Sequence, residues 1–337
     1  MADSPQERAV RQLLANFDTY DQYVDVVSAF EWVFTGSNVQ GMPTTVRYFE
    51  RFPKVRAGDG TELTPDFTVL FVDGSAIIGE IAKVGLAEES VDHLCQQLSK
   101  YATVPQVPDG PGSVATVSHV DVMCVTPMKT GLDAYERIVV ERYGDSAHPF
   151  NPPEPPCIVQ FSRDESSYTF QRIRADKNGV LIGGTRDPHI QKYLDRGFSP
   201  PVQSFIRVKV ARPYINDPVD VLYLATQLWT RVWPDRHGGP QAVISVDPRD
   251  TAEYLRERYG YVRTKDVRRA LELLDSVGLA ASDEGGTWLV ALRMLGNASE
   301  KDVHRVIANR LLRRQRRVEG LPVRREAAPR QGTLFDL

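Results

Sequence analysis

Two acidic residues, Asp66 and Glu80, interrupt two adjacent apolar runs in the stretch from Pro65 to Lys83. The runs Thr64 to Phe71 and Ala76 to Val84 are β-branched and aliphatic and of strand length, and Asp73-Gly74 between them is a strong hairpin signal. A tight hairpin lays the second strand beside the first. The two carboxylates can then converge on one side of a sheet and chelate a hard divalent cation through oxygen. Such a cation orients and activates a water for attack on a phosphodiester. Pro-Asp pairs are also common at turns. Isolated carboxylates in apolar strands are costly, however, and Ile77, Ile78 and Ile81 around Glu80 call for a cationic partner.

The elements around this hairpin have a definite order. An amphipathic segment, Gln6 to Phe34, contains Glu31 and comes first. Strand-like Thr44 to Val55 follows, then the Asp66 and Glu80 strands, a helix from Ala87 to Tyr101 and an apolar strand from His119 to Val125. On the helix, Gln97 and Tyr101 are four apart and share a face.

In this order and these motifs the chain resembles the PD-(D/E)XK nuclease superfamily, and Gln97 with Tyr101 matches the Q-x-x-x-Y motif of its RecB-like branch. The resemblance covers residues 1–145. It implies an α/β fold with a restriction-endonuclease-like core, a mixed sheet flanked by helices. It also implies Mg²⁺ (or Mn²⁺) on Asp66 and Glu80, a lysine that polarises the nucleophilic water or steadies charge on the phosphate, and positioning of the scissile strand by Gln97 and Tyr101. Glu31 either completes the metal site or lies on the solvated edge of its helix. Gln97 and Tyr101 have an alternative as an ordinary half-exposed helix face. The family's lysine stands two residues after the glutamate, where strand alternation puts both on one face. Here that position is Ala82 and the lysine is Lys83. A β-bulge at Ile81-Ala82 is the expected device for returning Lys83 to the shared face.

The 337 residues, 42% hydrophobic and 25% charged, are long enough for two or three domains of ordinary globular composition. A formal net charge of -3 means that any polyanion surface is local. Cys95, Cys124 and Cys157 form no CxxC pair, which argues for a reducing cytoplasm and against a zinc site. The N-terminus lacks a basic region followed by an apolar core, so no signal peptide is expected, and no membrane association. Prolines from His148 to Pro156 mark a linker. Residues 146–212 then read as this linker and a β-rich segment, either a small insert or an extension of the sheet. Asp187, His189 and Asp195 are its conspicuous polar residues, and the lone histidine beside Pro188 reads as a loop residue.

Residues 213–320 look like a winged helix. Helices are expected over Val219 to Trp233, Thr251 to Tyr259 and Thr264 to Gly278, the last with a Thr cap, an apolar stripe and a Gly stop. A hairpin with a Gly285-Gly286 tip follows as the wing. Helix-turn-helix variants lay one helix in the major groove, with Lys265, Arg268 and Arg269 on phosphates; Asp283 and Glu284 at the wing tip favour protein contacts instead. The last helix, from Ser299 to Arg317, carries Arg305, Arg310, Arg313, Arg314, Arg316 and Arg317, an electrostatic footprint for a polyanion or a solvated basic tail. Residues 321–337 are a flexible tail. Its Gln331, Leu334 and Phe335 resemble the bacterial sliding-clamp-binding motif, in which a Gln followed by two variable residues precedes Leu-Phe.

Together these features lead to the expectation of a metal-dependent deoxyribonuclease brought to DNA by a winged helix, a basic tail and a sliding clamp, in repair, restriction or anti-phage defence. The alternative is a non-catalytic DNA-binding or regulatory protein on a degenerate nuclease fold, which Ala82 keeps open. An RNA-directed nuclease is disfavoured by the clamp motif. A cytoplasmic location and a homodimer are compatible with this reading. Deleting Gln331 to Leu337, or changing Leu334 and Phe335 to Ala, is expected to abolish clamp binding while leaving cleavage of short linear DNA unchanged. A peptide of this length should bind its clamp at micromolar scale, about -8 kcal/mol or weaker. Calorimetry showing no saturable binding at high micromolar concentration would remove the clamp.

Overall fold

The hairpin that carries the two acids is closed by its own turn residues. Asp73 accepts hydrogen bonds from the Ser75 amide (2.8 Å) and hydroxyl (2.6 Å), which hold its carboxyl below the ordinary value. Gly74 takes a left-handed φ of 80°, where a side chain would be strained. In the computed structural model, which describes residues 4–35, 45–82, 87–164, 166–173, 183–205, 219–237, 242–259, 263–283, 285–292 and 302–318, this hairpin lies at the centre of a mixed sheet.

The chain forms two compact units, Tyr23–Arg212 and Met1–Gln22 with Pro213–Leu337. Helix α1 (Pro5–Thr35) contributes to both. It opens on a capping box in which the Glu7 amide donates to Ser4 Oγ (3.2 Å) and the Ser4 amide to Glu7 Oε2 (2.9 Å).

In the first unit the elements run β1 (Val46–Arg51), β2 (Val55–Arg56), β3 (Glu62–Leu63), β4 (Phe67–Phe71), β5 (Ser75–Ile81), α2 (Glu88–Tyr101), β6 (Gln106–Gly110), β7 (Ser113–Thr116), β8 (His119–Pro127), α3 (Met128–Tyr135), β9 (Cys157–Arg163), β10 (Tyr168–Arg172) and α4 (Pro188–Arg196). Six strands form one sheet in the order β1-β4-β5-β8-β9-β10. The pairs β5–β8 and β8–β9 are parallel, and the others are antiparallel. Parallel neighbours need a crossover, which α2 and α3 supply. This is an α/β architecture with a mixed sheet and flanking helices.

Strand alternation divides the core. Phe67, Val69, Phe71, Ile77, Met123 and Val125 pack with Val26, Ala29, Phe30 and Val33 of α1. Leu70, Ala76, Ile78, Val122 and Cys124 pack with Val91, Leu94, Cys95 and Leu98 of α2. The proline-rich stretch does not end the unit, because β9, directly after it, pairs with β8. Within residues 146–212, β9 and β10 therefore continue the sheet. The expected 1–145 boundary is corrected at both ends: Met1–Gln22 cluster with the C-terminal residues instead.

The second unit contains α5 (Val221–Gln227), a π turn over Leu228–Val232, α6 (Trp233–Arg236), β11 (Val243–Val246), α7 (Pro248–Tyr259), α8 (Thr264–Ser276), β12 (Ala280–Ser282), β13 (Trp288–Ala291) and α9 (Val303–Val318). Its antiparallel sheet has the order β11-β13-β12. Phe17 of α1 stacks on His304 at 4.1 Å, and Tyr20 meets Tyr223 at 4.7 Å. The expected Thr cap is not formed: Thr264 is already helical and follows Arg263, which makes no side-chain cap. The Gly stop is present at Gly278, φ 72°, one residue past the C-cap. No described helix is long and apolar enough to cross a membrane.

Gly79 is opposite Phe67 in the β4–β5 ladder. A Cβ on Gly79 would lie 2.1 Å from Phe67 Cζ. The ring therefore covers the glycine and fixes the rung next to Asp66 and Glu80. Gly79→Ala is expected to lower stability by about 1–3 kcal/mol, as overpacking of a filled core does. Pairing it with Phe67→Leu should recover part of that loss, as read from urea midpoints.

Candidate active site

The β4–β5 ladder ends at Phe67↔Gly79, and just beyond it the Asp66 amide donates to the Gly79 carbonyl at 3.0 Å, so Asp66 and Glu80 follow directly on either side of the last rung. Asp66 is 3% exposed. Its Oδ2 accepts from the Ile81 amide at 2.6 Å, and its Oδ1 from the Tyr23 hydroxyl. Burial first, and the Glu80 charge second, push its pKa well above the carboxylate range. Burial likewise raises Glu80 to about 7, against the pull of hydrogen bonds from Tyr101 and Gln97.

Helix α2 turns its buried stripe Val91, Leu94, Cys95, Leu98 and Tyr101 to the sheet, an i, i+3, i+4, i+7 pattern. This brings Gln97 and Tyr101 over Glu80. Gln97 Nε2 donates to Glu80 Oε1 at 3.1 Å and to the Tyr101 hydroxyl at 2.6 Å, and Tyr101 donates to Glu80 Oε2 at 2.7 Å. Burial, then the Glu80 charge, keep the Tyr101 phenol protonated. The structure thus joins Glu80, Gln97 and Tyr101 in one hydrogen-bonded group, with the Asp66 carboxylate near enough to interact with Glu80 and Tyr101 through its charge.

Glu31 is held elsewhere. Its Oε2 accepts from Arg51 Nε at 2.6 Å, an ion pair beside the group. The anticipated bulge is absent among the described residues: β5 follows β8 in unbroken register from Ser75 to Ile81, and the Ala82 amide donates to the Val125 carbonyl at 2.8 Å. Ala82 packs with the α2-side core, on the Glu80 face. Lys83 lies outside the described residues.

Tyr23 carried no signal in the sequence. Its ring stacks on Phe52, centroids 6.4 Å apart and planes within 8°. Phe52 has a left-handed φ of 47°, a conformation that costs a non-glycine residue about 1–3 kcal/mol. Its amide donates to the Asp66 carbonyl at 3.0 Å, so strained backbone braces both partners of the Tyr23–Asp66 bond.

The carboxylate pair fits a hard divalent cation in its donor chemistry: two neighbouring carboxylates, each raised chiefly by burial. Asp187, by contrast, caps α4 through the His189 and Ile190 amides, and Asp195 pairs with Arg172 at 2.7 Å. In the second unit Lys265, Arg268, Arg269 and Arg313 are exposed, and Arg310 is half-buried. Arg314 donates to the Asp275 carbonyl at the end of α8, 2.6 Å away. The side chains of Arg316 and Arg317, and Gln331, Leu334 and Phe335 entirely, lie outside the described residues.

Both carboxyls titrate above their unfolded values, so between the ordinary carboxylate range and about pH 7 the folded chain holds more protons than the unfolded one. Chelator-treated protein is therefore expected to be more stable at pH 5 and to lose stability as pH rises through about 7. Glu80→Gln should flatten this dependence, and added Mg²⁺ should raise the urea midpoint most at the alkaline end. An unchanged slope in Glu80→Gln would disprove the assignment. No family model, curated protein or solved structure matches this chain.

Proposed function

We propose that the chain is a metal-dependent deoxyribonuclease with a restriction-endonuclease-like, PD-(D/E)XK core and a winged-helix module. One observation carries the reading: Asp66 and Glu80 flank the last rung of the β4–β5 ladder, close enough for the Glu80 charge to raise Asp66, while Gln97 and Tyr101 grip Glu80 from α2. Asp66 and Glu80 would hold Mg²⁺ or Mn²⁺. The bound ion supplies charge neutralisation at the phosphate and a more acidic water.

The protein's own groups supply the positioning. Tyr23 and the Ile81 amide fix both oxygens of Asp66, and Gln97 and Tyr101 fix those of Glu80. Such outer partners set carboxylate orientation. Lys83 is the lysine assigned to steadying the developing negative charge, and the unbroken β5 register leaves Ala82 at the family's usual lysine position.

In the second unit the succession α5–α6, β11, α7, α8, β12, β13 and the strand order β11-β13-β12 support the winged-helix reading. Exposed Lys265, Arg268 and Arg269 on α8 would take DNA phosphates. Asp283 is occupied in its own turn, accepting from the Gly285 and Thr287 amides. Arg310, Arg313 and the remaining C-terminal arginines would add sequence-independent affinity, and the Gln331, Leu334 and Phe335 tail would tether the chain to a sliding clamp.

A second reading, a non-catalytic DNA-binding protein on a decayed nuclease fold, is favoured by Ala82 and by the protein donors already present on all four carboxylate oxygens. Incubation with linear, circular and single-stranded DNA in Mg²⁺ or Mn²⁺ separates the two. Asp66→Asn and Glu80→Gln are expected to lose all measurable cleavage while retaining DNA binding. Tyr101→Phe and Gln97→Ala should lose about 10- to 100-fold, the usual cost of removing an outer partner. DNA binding by the parent without cleavage of any of these substrates would favour the non-catalytic reading.

A further inference from the structure

At the opposite end of β8 from Cys124, which pairs with Glu80, three more potential ligand atoms converge. His119 and Asp121 are two apart on the strand, so alternation puts them on one face. His119 Nε2 is 3.0 Å from Asp121 Oδ1 and 3.9 Å from Glu154 Oε2, and all three ligand atoms lie within 4.8 Å of one another. Glu154 comes from the proline-rich stretch, between Pro153 and Pro155, whose rings restrict its backbone. The three residues line a cleft of about 280 Å³ together with Thr103, Val104 and Ser118.

We propose that His119, Asp121 and Glu154 form a binding site for a divalent transition-metal ion of the Zn²⁺ type, with its remaining coordination position open to the cleft. One imidazole and two carboxylates are a donor set that such ions accept, with bonds of about 2.0–2.2 Å. Those bonds put neighbouring ligands roughly 3.0–3.5 Å apart, so small side-chain movements from the observed spacing suffice. Asp121 is prearranged: its Oδ2 accepts from the Arg186 amide at 2.7 Å, which turns Oδ1 to His119. An anchored outer oxygen is what orients a metal-binding carboxylate. Three protein ligands with a fourth position facing a cleft leave room for water or a small anion. The absence of paired cysteines bears only on thiolate zinc sites.

This site is separate from the carboxylate pair. His119 is level with Ser75 and Cys124 with Glu80, five residues apart along β8, about 16 Å at the usual strand rise. His119 and Asp121 also share the face of Met123 and Val125, opposite that of Glu80.

The test uses the full chain, stripped with chelator and carrying Glu80→Gln so that the other acids do not dominate. Equilibrium dialysis against Zn²⁺ should show one ion per chain. Substitution of Co²⁺ should give visible absorption bands. In this background His119→Ala should abolish both signals. Glu154→Gln, at a residue whose side chain is 66% exposed and whose loss leaves the core intact, should weaken binding by at least tenfold. Zinc bound equally with and without His119→Ala and Glu154→Gln would overturn the site, as would zinc that the chain with native Glu80 and His119→Ala binds while the Glu80→Gln chain binds none.

Discussion

Asp66 and Glu80 are neighbouring carboxylates at the end of an antiparallel ladder that repel each other, and burial deepens the penalty because little water remains to screen them. Much of the surrounding structure answers this. Each of the four oxygens accepts from a donor, and the donors come from three elements: Tyr23 on α1, the Ile81 backbone on β5, and Gln97 and Tyr101 on α2. The sheet presents the acids, and helices on both of its faces supply donors. Satisfied networks of this kind rigidify a site, because each bond removes an alternative rotamer for its partner.

Packing enforces the same end of the ladder. Phe67 over Gly79 holds the adjacent position, and the aromatic layer of Phe30, Phe49 and Phe67, with centroids 5.1 to 5.6 Å apart, ties β1, β4 and α1 together. Arg51, opposite Phe67 on β1, pairs with Glu31. That pairing gives the helix acid a local ionic role, where the sequence left it open between the metal site and a solvated helix edge.

The legible parts of the sequence were those governed by short periods. Asp73-Gly74 located the hairpin, and the strands on either side brought Asp66 and Glu80 to the two sides of its last rung. The four-residue spacing of Gln97 and Tyr101 put both over the sheet, and Gly278 marked the end of α8. Contacts set by tertiary packing were not legible. Tyr23 reaches Asp66 across 43 positions and Glu154 reaches His119 across a proline-rich stretch, with no periodicity to signal either. His119-Val120-Asp121 did carry a signal, since a two-residue spacing in a strand shares a face, but the apolar run after it drew the reading toward core. The bulge was inferred from a motif mismatch. The parallel ladder to β8 runs straight through that position, because each β5 residue up to Ile81 has a partner there.

The unit formed by Met1–Gln22 and Pro213–Leu337 is discontinuous in sequence. During synthesis, Phe17 and Tyr20 leave the ribosome some 200 residues before Tyr223 and nearly 290 before His304, the aromatic partners they meet in the finished fold. The first five turns of α1 must therefore wait with their apolar side uncovered while the intervening sheet is made. Short isolated helices are marginal in water, so this segment acquires its lasting helical stability late, when the last helix arrives. The order of manufacture thus makes the beginning of the chain one of the last parts to settle.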